Sequence, residues 1–131
     1  MQDWLSARAQ VSPQQIALIT PEGQWTYAEL DKLAIEKAEQ LPAGARLGVL
    51  LHNSLDYVTL IFAAMRRRCV LVPLNTRLTW DEIKWQLTNA DCTILLAGRE
   101  MRETIPYTFK TDKPTTLFYL PKVDRDFKLK P

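Results

Sequence analysis

Arg77 stands two residues before Thr79 in the stretch "VLVPLNTRLTWDEIKWQL" (70–87). Thr79 and Glu82 have capping-box spacing, so a helix is expected to open at Thr79. The start of a helix carries free N–H groups and partial positive charge. An arginine there is slightly unfavourable on its own. A bound phosphate reverses the sign, because the guanidinium and the helix end both attract it. The competing reading is a surface pair with Asp81 or Glu82, worth about 0–1 kcal/mol. Spacing alone favours the pair.

The other chemical candidates are weaker. Arg66, Arg67 and Arg68 form the densest charge run. They fall at an expected helix C-terminus, where the macrodipole stabilises cations. No interleaved aromatics accompany them, so no nucleic-acid patch is expected. His52, Asn53 and Ser54 follow an apolar run, and ligands bind at the carboxyl ends of parallel strands. No G-x-S-x-G elbow exists, so His52 reads as a loop residue without a catalytic task. Cys69 and Cys92 form no C-x-x-C pair. They read as reduced thiols of a cytoplasmic protein, and with one histidine they build no zinc site. The four glycines, Gly23, Gly44, Gly48 and Gly98, make no phosphate-cradling loop. No catalytic residue and no metal ligand is assigned from these patterns. Trp25, Trp80 and Trp85 read as core or rim residues.

The elements that must position Arg77 follow from periodicity. "DWLSARAQ" reads as a short helix capped by Asp3, and "QIALIT" as a strand ended by the turn "PEGQ". Thr26 and Glu29 make a first capping box, and Leu30, Ala34 and Ala38 recur on one helical face. "RLGVLL" is a strand covered on both faces. Ser54 caps the next helix, which is apolar around much of its circumference. "CVLVPL" reads as a buried strand, "TWDEIKWQLTNA" as a helix and "CTILLAG" as another strand. The rhythm β-α-β-α-β predicts the α/β class, a parallel sheet with helices on its faces.

Composition divides the chain near Gly98. Residues 1–98 hold 9 Lys and Arg against 10 Asp and Glu; residues 99–131 hold 8 against 5 and four of the eight prolines. The expectation is an α/β part over 1–98 and, over 99–131, a weakly ordered basic tail or a misassigned end, within which "YTFK" and "TTLFYL" could be short strands. A net charge of +2 argues against nucleic-acid binding. No apolar run is long enough to span a bilayer, and Asp3 interrupts any signal-like start.

The stretches "WTYAELDKLAIEKAEQL", "GARLGVLLHNSLDYVTLIFAAMRR" and "VLVPLNTRLTWDEIKWQL" together resemble the N-terminal region of the adenylate-forming acyl- and aryl-CoA synthetase superfamily. The third looks most like the 2-succinylbenzoate–CoA ligase branch of menaquinone biosynthesis. The resemblance covers about residues 1–98. It implies a reaction in which a carboxylate attacks the α-phosphate of ATP and coenzyme A thiol then displaces AMP. ATP, Mg²⁺ and CoA are the cofactors and substrates implied for the parent family. The phosphate loop and catalytic lysine of that family have no counterpart here; "LPKVDRDF" stands where the loop would begin. The family usually has glycine and a small residue where this chain has Arg68 and Cys69. The resemblance also raises Arg77, in the Asn-x-Arg-Leu segment, as a contact for a phosphate of CoA or nucleotide.

The expectation is therefore a truncated N-terminal segment of such a ligase, inactive alone and needing no cofactor by itself. Its partner would be the missing remainder of the ligase or a second copy. The alternative is a stand-alone α/β interaction module that pairs with another chain through an open sheet edge. A flavodoxin-like nucleotide binder is disfavoured by the glycine-poor strand ends.

Overall fold

The computed structural model describes residues 3–111 and 113–120. The basic end "PKVDRDFKLKP", including most of the stretch aligned with the missing phosphate loop, lies outside the described residues. Helix α1 (Trp4–Val11) leads into a hairpin of β1 (Ile16–Thr20) and β2 (Gly23–Thr26). Then come α2 (Tyr27–Glu39), β3 (Arg46–Leu50), α3 (Leu55–Arg66), β4 (Val70–Pro73), α4 (Trp80–Asn89), β5 (Ile94–Ala97) and β6 (Thr116–Tyr119). Strands β3 to β6 form one parallel sheet in the order β4-β3-β5-β6.

The period-2 alternation of β3 assigns its two faces. Leu47, Val49 and Leu51 pack with Leu60, Ala63 and Ala64 of α3. Leu50 points the other way, into a cluster with Ile83 and Leu87 of α4. At Gly48 a Cβ would sit 2.5 Å from Leu87 Cδ2, so the glycine lets α4 close onto the sheet. A third cluster joins α1, the hairpin and α2 through Leu5, Trp25, Leu30 and Leu33. Trp25 is core, as expected, and Trp80 is a half-buried rim residue whose ring meets that of Phe109 at a tilt of 57°. Trp85 differs: it is 65% exposed on α4.

Two local expectations change, and a third is extended. First, β4 is an edge strand rather than a buried one, with Val70 exposed and Leu71 and Val72 half-buried. An apolar run signals a sheet strand but not its place in the sheet. Second, the chain beyond Gly98 is built into the fold as far as residue 120. Met101 and Ile105 are buried, and β6 pairs with β5 in register from Ile94↔Thr116 to Ala97↔Tyr119. "TTLFYL" supplies that strand, whereas "YTFK" forms none. Third, the triple arginine does end α3, as expected, and Arg66 in its last turn does more than face the dipole. Its Nε donates to Asp3 Oδ2 at 2.6 Å and its Nη2 to Asp31 Oδ1 at 2.6 Å, tying α3 to α1 and α2. Arg67 caps α3, with its Nε donating to the Leu41 carbonyl. Arg68 takes the left-handed conformation at φ 56°, the conformation a glycine would hold at lower cost, at about 1 kcal/mol.

Candidate functional site

The carboxyl ends of β3, β4 and β5 lie side by side, because the strands are parallel and in register. After β3 the chain turns to α3 on one face. After β5 it turns to the opposite face, where Met101 and Ile105 pack with α4. The two neighbouring strands therefore part company at their ends, which opens a crevice between them. A cleft of about 290 Å³ fills that place, lined by Leu51, Ser54, Asp56, Gly98, Arg99 and Glu100. Glu100 folds back over Gly98, where an added Cβ would meet its carboxylate oxygens at 2.2 Å. From there Glu100 Oε1 accepts the His52 backbone N–H at 3.2 Å and lies 4.0 Å from His52 Nδ1.

A second, more open cleft of about 440 Å³ lies between the ends of β3 and β4. Its lining is polar in character: His52, Asn53, Asn75, Thr76 and the Tyr57 phenol, with Leu51 and Leu74 beneath. Burial pushes the Tyr57 phenol above its ordinary value, so it stays protonated at neutral pH. Ser54 Oγ accepts the Tyr57 backbone N–H at 3.3 Å, which commits its oxygen to capping α3.

Arg77 follows directly on the lining residues Asn75 and Thr76. Asn75 Oδ1 accepts the Arg77 backbone N–H at 2.9 Å, an Asx turn that holds the segment after β4. The Arg77 side chain is exposed, and among the described residues it has no carboxylate within ion-pairing distance. The expected surface pair is not formed. Asp81 instead lies 3.9 Å from Lys84, and Glu82 Oε1 accepts from the Thr79 hydroxyl at 3.2 Å. The second capping box is thus half made. Thr79 Oγ1 accepts the Glu82 N–H at 3.4 Å, but the reciprocal bond from Glu82 to the Thr79 N–H is absent.

Two site features escaped the sequence reading. Glu100 had no local signal, because only the sheet register brings it to His52. Lys37 had one: it falls four residues after Leu33 on the apolar face of α2, where the side chain must be buried. Its Nζ bonds Asp56 Oδ1 at 2.9 Å and Thr59 Oγ1 at 3.0 Å. Burial lowers the Lys37 pKa, and Asp56 offsets part of that. Chemically, this end of the sheet offers hydrogen-bond donors and, at Arg77, an exposed guanidinium without an ion-pair partner among the described residues. Among the described residues no group of three or more His, Cys, Asp or Glu is placed to hold a metal ion.

Comparison with known proteins agrees with the geometry. The profile described as "AMP-binding enzyme" matches residues 5–127. The 2-succinylbenzoate–CoA ligase of Bacillus cytotoxicus is 32% identical over 117 residues, covering 84% of this chain and 24% of that protein. The ligase of the same name from Geobacillus sp. strain WCH70 is 28% identical over 131 residues, covering 96% of this chain and 27% of its own length. Among solved structures, the O-succinylbenzoate coenzyme A synthetase of Bacillus subtilis in complex with AMP superposes with a TM-score of 0.74 at 27% identity, over 85% of this chain and 31% of that one. The N-terminal domain of FACL13 from Mycobacterium tuberculosis gives 0.77 at 26% identity, over 88% and 32%. The chain spans about a quarter of the length of the curated relatives it matches.

Proposed function

The chain belongs to the AMP-binding enzyme family, and from that premise we propose that it serves as the N-terminal segment of an ATP-dependent acyl- or aryl-CoA ligase, with 2-succinylbenzoate as the acid. The supporting observation is the match over residues 5–127, in a fold shared with a synthetase of that acid. In the proposed parent reaction a carboxylate oxygen attacks the α-phosphorus of ATP and pyrophosphate leaves. The CoA sulfur then attacks the acyl carbon and AMP leaves. A related synthetase structure holds ATP and a magnesium ion. No residue of this chain is assigned to that ion, since the described residues gather no ligand set.

By itself the chain carries no phosphate loop, so nothing in it would hold the departing pyrophosphate charge. Purified alone, it should give no ATP–pyrophosphate exchange with 2-succinylbenzoate; clear turnover overturns this reading. In the assembled enzyme, Arg77 is proposed to contact a phosphate of CoA or of the nucleotide. Its support is a guanidinium without an ion-pair partner among the described residues, beside a helix start with unused N–H capacity, at the mouth of a polar cleft. Arg77→Ala in the complete enzyme should raise KM for CoA several-fold with little change in kcat; an unchanged KM refutes the role. The two free thiols, Cys69 and Cys92, support a cytoplasmic location. No described helix is long and apolar enough to cross a membrane.

A further inference from the structure

The polar cleft between the ends of β3 and β4 has two lips, one from each strand. His52 and Asn53 follow β3, while Asn75 and Thr76, with Arg77 next in line, follow β4. Among the described residues no hydrogen bond joins one lip to the other. Both are held instead by a third stretch of chain that does not line the cleft, the connection from β5 to β6.

Its hold on the β3 lip is polar. Glu100 Oε1 accepts the His52 backbone N–H at 3.2 Å and lies 4.0 Å from the ring Nδ1. A Cβ on residue 98 would strike that carboxylate. The Gly98 backbone is ordinary, at φ −74°, so the glycine makes room for Glu100 rather than for a turn. The hold on the β4 lip is apolar. Met101, Ile105 and Phe109 pack in one cluster with Leu74, Leu78 and Trp80, which bracket Arg77 in sequence. The rings of Phe109 and Trp80 lie 5.5 Å apart between centroids. Trp80 is the first residue of α4, so that contact fixes the helix start after Arg77. Between Glu100 and Phe109 the stretch is pinned by the buried side chains of Met101 and Ile105. A short, pinned stretch of this kind carries a displacement from one end to the other.

We propose that residues 99–109 are the positioning device of the polar cleft: Glu100 sets the β3 lip, Phe109 sets the β4 lip, and the buried Met101 and Ile105 make the two settings one. Glu100 and Phe109 are positioning residues, absent from the cleft wall. Their effect on an anion there passes through His52 and through the start of α4. The coupling of the lips stands on this geometry alone; its consequence for a ligand rests on the reading of Arg77 as a phosphate contact in the ligase.

Amide hydrogen exchange of the whole chain reads the lips directly. Glu100→Ala should speed exchange of the His52 N–H about tenfold, through the loss of one hydrogen bond. Gly98→Ala should do the same by displacing the carboxylate. Glu100→Gln should match wild type, because an amide oxygen accepts the same N–H. Phe109→Ala should speed exchange at Arg77 and Leu78 and also, about threefold, at His52. Phe109→Leu, which keeps bulk and loses the ring contact, carries the same comparison where the alanine variant does not fold. Tyr107→Ala, on the same stretch but fully exposed, should change neither lip. The Leu74 N–H, which donates to the Val49 carbonyl, registers any general loss of stability. A His52 amide indifferent to Glu100→Ala, or to both Phe109 variants, overturns the proposal. Titration with CoA then reads the consequence: Glu100→Ala and the Phe109 variant should each weaken its affinity several-fold, and Glu100→Gln should not. Wild-type affinity in both weakened variants overturns the proposal, since the lips would then be set without this stretch. A wild-type chain that binds no CoA while its two lips respond together sinks the phosphate reading of Arg77 and leaves the positioning device standing.

Discussion

Helices α2 and α4 open with the same signal, Thr-x-x-Glu, yet the two starts are built differently. At α2 the box is complete: Thr26 Oγ1 accepts the Glu29 N–H at 3.1 Å, and Glu29 Oε1 accepts the Thr26 N–H at 2.9 Å. That start sits beside the buried Trp25 and is packed by the hairpin. At α4 the threonine accepts its bond at 3.4 Å, and the glutamate takes the hydroxyl proton rather than the backbone N–H. That start lies in the open, after Arg77. The difference teaches that a capping signal fixes where a helix begins, while packing decides whether the end is closed. A closed end serves the fold. An end left partly unsatisfied, with a cation beside it, remains available to something else.

Asp3 marks the closed extreme, and the largest effect is expected there. Its carboxylate caps α1 through the Ser6 N–H at 2.8 Å and also holds Arg66. Asp3→Ala removes the cap and one partner of a mostly buried guanidinium, and should cost about 3 kcal/mol in urea unfolding. Arg66 beside it holds the Asp3 carboxyl below its ordinary value of 3.8. As pH falls below about 3.8, the unfolded chain takes up the proton first, so this part of the stability declines. It is gone once pH has fallen through the lower folded value. Asp3→Ala should flatten that acid limb; an identical limb in wild type and variant would show that Asp3 is not its source.

Second in size comes the direct contrast. Thr26→Ala should cost about 1.5 kcal/mol and Thr79→Ala about 0.5 kcal/mol, since one removes half of a reciprocal box and the other a single long bond. Equal losses would break the comparison between closed and open starts. Glu29→Gln should be mild, because an amide oxygen can still accept the Thr26 N–H.

The secondary structure was legible in the sequence wherever periodicity and caps agreed. Asp3, Thr26, Ser54 and Thr79 all cap the helices their positions suggested. What the sequence could not convey was order across the sheet. "CVLVPL" and "RLGVLL" read alike, yet β4 became an edge and β3 the centre, because the crossover after α4 carried β5 to the far side of β3. The same crossover brings Glu100 to His52, across 48 positions of sequence. The triple arginine shows the opposite limit: a helix-end pattern was correct for the element and silent about Arg66, whose carboxylate partners come from α1 and α2. Arg77 was visible from spacing, but the absence of a surface pair with Asp81 or Glu82 was not, because both were within reach by count and both turn elsewhere.

The smallest expected effect sharpens the contrast most. If Arg77 served the fold, its removal would cost stability, as removal of any paired cation does. It has no partner among the described residues and stands before a helix start, where its charge opposes the dipole. Arg77→Ala should therefore leave the chain as stable as wild type or raise its stability by about 0.3 kcal/mol, with the gain fading as salt screens it. Added inorganic phosphate or CoA should reverse the order, stabilising wild type more than the variant, because binding to the folded state adds to its stability by mass action. Thermal unfolding of both proteins with and without CoA measures this. A loss of about 1 kcal/mol in the variant without ligand would make Arg77 a structural residue after all, and the open end of α4 would then be only a weaker copy of the closed end of α2.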